Sequence, residues 1–170
     1  MIRICFHGAE STGKSVLSTR LAAELGLPLV TEYGRDYAEA HGTDFTMADL
    51  LAIAAGHEAA VRAVEQAGAA LCLLDTDPLM TAAWAKMLFG TVPTELLAYP
   101  KADLYLLFEA DVPWVEDGTR LFGTAAERAR FAAVTEAMLV RARVPFTRIA
   151  GTWDEREAAT RTAIMPYIRS

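Results

Sequence analysis

Apolar positions along this chain fall into two alternating rhythms. Short, mostly apolar runs occupy residues 2–6, 27–32, 69–74, 104–108 and 146–150, and all are too brief for independent helices. Between them, apolar residues recur every three or four positions. The spacing predicts helices over 15–25, 79–88, 95–98, 125–141 and 153–167, the last interrupted by Pro166. A longer helix, capped by Thr46 or Asp44, runs to about Gln66 with Leu50, Ile53, Ala54, His57, Val61 and Val64 on one face. His57 breaks that apolar stripe and reads as a partly buried packing residue. Strands alternating with helices predict an α/β fold: a five-stranded parallel sheet covered on both faces, with right-handed crossovers. In such sheets ligands bind beyond the carboxyl ends of the strands. That rule gathers Glu32, Asp75, Asp77, Asp111 and Gly151 into one cleft.

The first strand runs into Gly8-Ala9-Glu10-Ser11-Thr12-Gly13-Lys14-Ser15, which fits G-x-x-x-x-G-K-[ST], the P-loop pattern, with the required strand before and helix after. Gly8 and Gly13 let the backbone turn sharply, so that the N–H groups of Glu10, Ser11 and Thr12 can converge on phosphate. The helix behind adds its free N–H groups and positive dipole end. Lys14 is expected to reach the β- and γ-phosphates, and the Ser15 hydroxyl to ligate Mg²⁺. Val16, inside the helix, and Gly151 and Trp153, beyond the last strand, complete the expected nucleotide contacts. The pattern predicts binding of a nucleoside triphosphate.

Length and composition narrow the class. A chain of 170 residues, 53% apolar, suits one domain spanning 1–170 with a small lid at about 111–125. No apolar run reaches the roughly 18 residues of a membrane span. Met1 leads straight into a strand, leaving no leader, so a cytoplasmic protein without membrane insertion is expected. Cys5 and Cys72 lie in predicted strands without metal-ligand spacing and read as small buried residues. The net charge of −6 argues against nucleic acid as a partner. Yet the stretch from Gly118 to Arg148 carries six Arg against two Glu, a local +4, which suggests a phosphate clamp.

Asp75 ends an apolar strand, where P-loop enzymes place the carboxylate that holds Mg²⁺; capping of the next helix is the alternative. Asp77, just before Pro78, suits either a helix cap or a ligand for substrate hydroxyls. Glu32 is the candidate general base for an attacking hydroxyl. Arg35 and Asp36 follow it closely enough that a local ion pair would also explain them. Arg120, with Arg128 and Arg130 behind it, is placed to neutralise a transferring phosphoryl group. Tyr33, Tyr37, Trp84 and Trp114 fall near the predicted cleft, where a planar heteroaromatic substrate would stack.

Four blocks in order, the P-loop, Glu32-Tyr33-Gly34-Arg35, Asp75-Thr76-Asp77-Pro78 and the stretch from Asp111 to Arg120, resemble the NadR-type nicotinamide riboside kinases. The resemblance covers nearly the whole chain. It implies a nucleoside-monophosphate-kinase-like P-loop fold and ATP-dependent, Mg²⁺-requiring phosphorylation of the 5′-hydroxyl of nicotinamide riboside, a step of NAD salvage. Lys14, Glu32, Asp75 and Arg120 would be catalytic. Tyr33, Asp36, Asp77, Trp84, Trp114 and Asp117 would join Glu32 around the riboside, with homo-oligomerisation open. Many NadR proteins also carry an adenylyltransferase and sometimes a DNA-binding helix-turn-helix; with the P-loop beginning at residue 8, neither is expected here.

Other readings remain open. A P-loop kinase for another nucleoside or metabolite would use similar rings and carboxylates. A regulatory GTPase is disfavoured, because the sequence contains no Asn for a guanine-reading N-K-x-D motif and its single Gln, Gln66, sits late in a helix. A non-catalytic sensor would not need Lys14, Ser15, Asp75 and a lid arginine together.

Overall fold

The computed structural model describes residues 1–115, 118 and 120–168. Five strands, β1 (Ile2–Gly8), β2 (Leu29–Val30), β3 (Leu71–Asp75), β4 (Leu104–Phe108) and β5 (Phe146–Ile149), form one sheet in the order β2-β3-β1-β4-β5. Every neighbouring pair is parallel; Ile4 stands beside Leu73 on one side and Leu104 on the other. The most apolar runs mark the central strands β3, β1 and β4, because such strands are buried on both faces. On β1, Ile4 and Phe6 face one layer with Leu17, Leu21 and Ile164, whereas Cys5 faces the other with Val61, Leu79 and Leu139.

The helices are α1 (Lys14–Leu25), α2 (Tyr33–His41), α3 (Met47–Gln66), α4 (Pro78–Phe89), α5 (Thr94–Ala98), α6 (Ala125–Ala142) and α7 (Trp153–Ile168). Thr46, not Asp44, caps α3: its hydroxyl accepts the Asp49 N–H at 3.3 Å while the Asp49 carboxylate accepts the Thr46 N–H at 2.7 Å, a reciprocal capping box. A third apolar cluster joins Leu50, Ile53 and Ala54 of α3 to Met80 of α4 and Phe131 and Met138 of α6, and it walls the cleft described below.

Three expectations are corrected. The second strand is two residues long, and the segment after it, expected to end a strand at Glu32, opens α2 with Glu32 as its N-cap. Local contacts favour that helix: Tyr37 stacks on His41 one turn later at 4.2 Å, and Arg35 pairs with Glu32 at 3.6 Å. Pro166 does not interrupt α7, which continues to Ile168, although it has no N–H to give to the turn before it. Third, most of the basic stretch lies away from the cleft. Arg128 donates to the Val112 carbonyl at 2.7 Å, Arg130 is exposed, and Arg148 pairs with Glu109 and Glu136 on the surface. Only Arg120 of that stretch reaches the cleft.

Cys5 and Cys72 are both buried and form no disulfide. No helix of the described residues is long and apolar enough to cross a membrane.

Candidate active site

The sheet ends in a cleft of about 940 Å³, part of it open to solvent. It is lined by the P-loop from Glu10 through Val16, by Glu32 and Arg35, by the apolar side chains of Phe45, Leu50, Ile53, Met80 and Trp84, and by Arg120. The loop's shape depends on two glycines. A Cβ on Gly8, at φ +133°, would meet the Phe108 carbonyl oxygen of β4 at 2.5 Å, so this strand end admits only hydrogen. Gly13, at φ +87°, supports the Trp153 ring, which would stand 2.2 Å from a Cβ there. Ser11 adopts φ 56°, a left-handed conformation rare outside glycine.

Lys14 is buried, and its Nζ donates to the Ala9 carbonyl at 2.7 Å and to the Thr12 hydroxyl at 3.4 Å. Burial lowers its pKa, opposed mainly by the Glu32 and Asp75 carboxylates. Asp75, 4% exposed at the end of β3, shares a side-chain hydrogen bond with Ser15, while its Oδ1 is buried without a hydrogen-bond partner. Burial raises its pKa, against the pull of Ser15 and Lys14. An orphaned buried carboxylate oxygen beside a serine hydroxyl is a hard oxygen pair, which fits Mg²⁺. Glu32 keeps 26% of its side chain exposed; burial and then the neighbouring Asp75 charge raise its pKa, while Lys14 and Arg35 pull it down.

The other residues expected at the site divide. Trp84 lines the cleft, in edge contact with Phe45 and Phe131 and tilted on Phe122 at 5.1 Å. Tyr33 is outside the lining and packs instead where a Gly56 Cβ would be, at 2.3 Å. Trp114 also lies outside it, with its ring against Gly123 and its buried Nε1 unpartnered. Asp36 is exposed on α2, beyond the cleft. Asp117 lies outside the described residues.

Asp77 is a cap, not a cleft residue. Its Oδ1 accepts the Leu79 and Met80 N–H groups at 3.0 and 3.4 Å, and its Oδ2 accepts the Tyr105 hydroxyl at 2.5 Å. Burial pushes its pKa up to about 6. Pro78, at the first helical position, has no N–H to satisfy, and the carboxylate caps the two N–H groups that follow it.

The Glu10 side chain is engaged outside the P-loop. Both of its oxygens accept backbone N–H groups from the β4–α6 connection, Leu121 and Phe122, each at 3.1 Å. Its side chain is therefore occupied, and only its main-chain N–H remains for phosphate. Trp153 is 56% exposed and Val16 69%, so both leave apolar surface beside the P-loop. Gly151, at φ +88°, gives its N–H to Asp111 at 2.8 Å.

Arg156 was missed in the sequence, where it reads as one more charge on a terminal helix. It is fully buried and donates to the carbonyls of Gly151, Thr12 and Glu109 at 2.9, 3.3 and 3.1 Å, and to the Asp111 carboxylate. One guanidinium thus ties the P-loop to the ends of β4 and β5. Phe45, Met80 and Thr81 were missed too: each looks like ordinary core or loop until the helices are packed.

Comparison with known proteins agrees with this geometry. A family model described as an AAA domain matches residues 3–156. The trifunctional NAD biosynthesis/regulator protein NadR of Escherichia coli (strain K12) is 32% identical over 153 residues, 86% of this chain and 37% of its own length. Its counterpart in Salmonella typhimurium is 31% identical over the same share. The chain thus spans little more than a third of those curated relatives. A crystal structure of a NadR protein in complex with NAD and AMP-PNP superposes with a TM-score of 0.78 at 22% identity, covering 99% of this chain and 50% of that one. Thymidylate kinase from Ehrlichia chaffeensis superposes at 0.69 with 13% identity, covering 98% of both chains. At such identities the structural likeness speaks for the fold, a P-loop kinase fold. With the family model spanning almost the whole sequence, the chain belongs to the AAA domain family and is a homologue of the NadR proteins over this region.

Proposed function

We propose that this chain phosphorylates the 5′-hydroxyl of nicotinamide riboside with ATP, yielding nicotinamide mononucleotide and ADP. The observation that carries the reading is one cleft lined together by the P-loop, the Glu32 carboxylate and an apolar group that includes Trp84. A NadR protein has been crystallised with NR, on the same fold. In the transfer, the hydroxyl oxygen forms a bond to the γ-phosphorus as the bond to the β–γ bridging oxygen breaks and leaves with ADP. Glu32 takes the hydroxyl proton. Burial and the Asp75 charge raise its proton affinity, the direction that favours a general base.

Lys14 would exchange the Ala9 carbonyl for phosphate oxygens, which are the stronger partners for a buried ammonium. Asp75 and Ser15 would hold Mg²⁺, which supplies charge neutralisation at the phosphates. Arg120, which lines the cleft beside the Ser11 hydroxyl, would face the charge that develops on the transferring group. The exposed faces of Trp153 and Val16 would contact the ATP base. A cationic pyridinium stacks well on an indole, so Trp84 favours the charged riboside over a neutral base. Tyr33, Asp36, Asp77 and Trp114 have no direct part in this scheme.

The test is incubation with Mg·ATP and a panel of nucleosides, with the products identified by mass. Nicotinamide riboside should exceed thymidine by at least about tenfold in kcat/KM, the factor that about 1.4 kcal/mol produces. A preference for thymidine or deoxycytidine would overturn the assignment and leave a kinase of another nucleoside.

A further inference from the structure

Phosphate binding by a P-loop requires the backbone N–H groups, one lysine and one hydroxyl; it asks nothing of the side chains at the second and third variable positions. Here those two side chains are fully engaged elsewhere. Glu10 Oε1 accepts the Leu121 N–H and Oε2 the Phe122 N–H, each at 3.1 Å. The Ser11 hydroxyl accepts the Val115 N–H at 2.9 Å and the Arg120 Nη1 at 3.3 Å, and donates to the Pro113 carbonyl at 3.4 Å. These anchors hold the β4–α6 connection on both sides of Arg120, and one of them holds the guanidinium itself.

The geometry points to Glu10 and Ser11 as positioning residues: a clasp from the P-loop that presets Arg120 over the phosphate site before nucleotide arrives. The inference rests on the kinase reading, in which Arg120 acts on the transferring phosphoryl group. A long flexible arginine on an untethered loop would spend most of its time away from the reacting atoms, so fixing the backbone directly after it raises the fraction poised for transfer. A carboxylate beside a polyphosphate site would ordinarily repel the ligand. The two N–H groups, with Lys14 and Arg120 nearby, offset that charge. The clasp also reaches the apolar lining of the cleft. Phe122, whose N–H Glu10 holds, packs on Trp84 at 5.1 Å and on Phe131 at 4.9 Å. Setting the connection in place therefore sets the arginine and the apolar wall together.

The peptide bond between Arg120 and Leu121 is itself a trypsin site, and its N–H is the one that Glu10 accepts. In nucleotide-free protein, Glu10→Gln keeps the shape but offers one acceptor oxygen to two N–H groups. Cleavage after Arg120, identified by fragment mass, should rise about tenfold, as expected when a hydrogen bond to a charged group is lost and cleavage follows the open population. Cleavage after Arg20 and Arg62, on α1 and α3, should not change. In the kinase assay, kcat should fall about tenfold while the KM for ATP moves less than about threefold. Should Glu10→Gln fail to fold, Ser11→Ala removes the second anchor without a buried carboxylate and should give the same rise at Arg120. Unchanged cleavage at Arg120 in a folded variant overturns the clasp, as does a loss expressed in KM alone. If the wild type phosphorylates no nucleoside while the tryptic rise occurs, the clasp stands and the kinase reading falls.

Discussion

Replacing Arg156 with Met tests how the P-loop is held. The substitution keeps an unbranched apolar stem of similar length and removes every donor. The carbonyls of Gly151, Thr12 and Glu109 lose partners at 2.9, 3.3 and 3.1 Å, and Asp111 loses its ion pair. Asp111 has 43% of its side chain exposed and can rehydrate, so its share of the loss is small. Three carbonyls left without a donor around a fully buried side chain cost about 1 kcal/mol or more each. Relief from burying a guanidinium returns part of this. The net loss should be about 3 kcal/mol, which for a chain of this size lowers Tm by roughly 10 °C. Urea unfolding followed by tryptophan fluorescence gives the free energy. Calorimetry with AMP-PNP reports the P-loop, where Kd should rise about tenfold as Thr12 loses its support. Arg156→Lys should recover less than half of either effect, because an ammonium cannot span the fork of acceptors. A loss below about 1 kcal/mol with Kd unchanged would refute the assignment of Arg156 as the tie between the loop and the sheet.

Other outcomes follow from the same geometry. Asp75→Asn should raise the Mg²⁺ concentration needed for nucleotide binding by about tenfold, since an amide oxygen is a weaker ligand for a hard cation; an unmoved Mg²⁺ titration would leave Asp75 outside the metal site. Glu32→Gln should lower kcat by about 10² or more while riboside binding persists, as for loss of a general base; full activity would move the base elsewhere. Burial lowers the pKa of His57 to about 4, below its unfolded value of 6.5. Its stabilising contribution is therefore full above pH 6.5 and is lost as pH falls toward 4. Between pH 6 and 4.5 the wild type should lose about 1 kcal/mol per pH unit more than His57→Leu in urea unfolding. Parallel pH profiles would show that His57 titrates normally.

Local chemistry was enough for much of this molecule. The three central strands, β1, β3 and β4, announce themselves as largely apolar runs, because a central parallel strand is buried on both faces and has little polar side to show. The P-loop is legible from eight residues, since phosphate binding uses contiguous backbone and so leaves its mark in contiguous sequence. Thr124 and Glu127, which cap α6 reciprocally, follow the same local logic.

What the tertiary structure decided lies in contacts that no local pattern encodes. Asp75 and Asp77 are two residues apart on the same strand end, yet one faces Ser15 and the other the helix terminus and Tyr105. Direction along an irregular turn, not residue type, separates them. Glu10 bonds Leu121, and Arg156 bonds Thr12, across 111 and 144 positions of sequence. Trp84 reaches the cleft while Tyr33 and Trp114 do not, because helix packing and the path of the β4–α6 connection set which ring faces inward. A side chain's type states what chemistry it can do, and only the packing of distant elements states what it does it to.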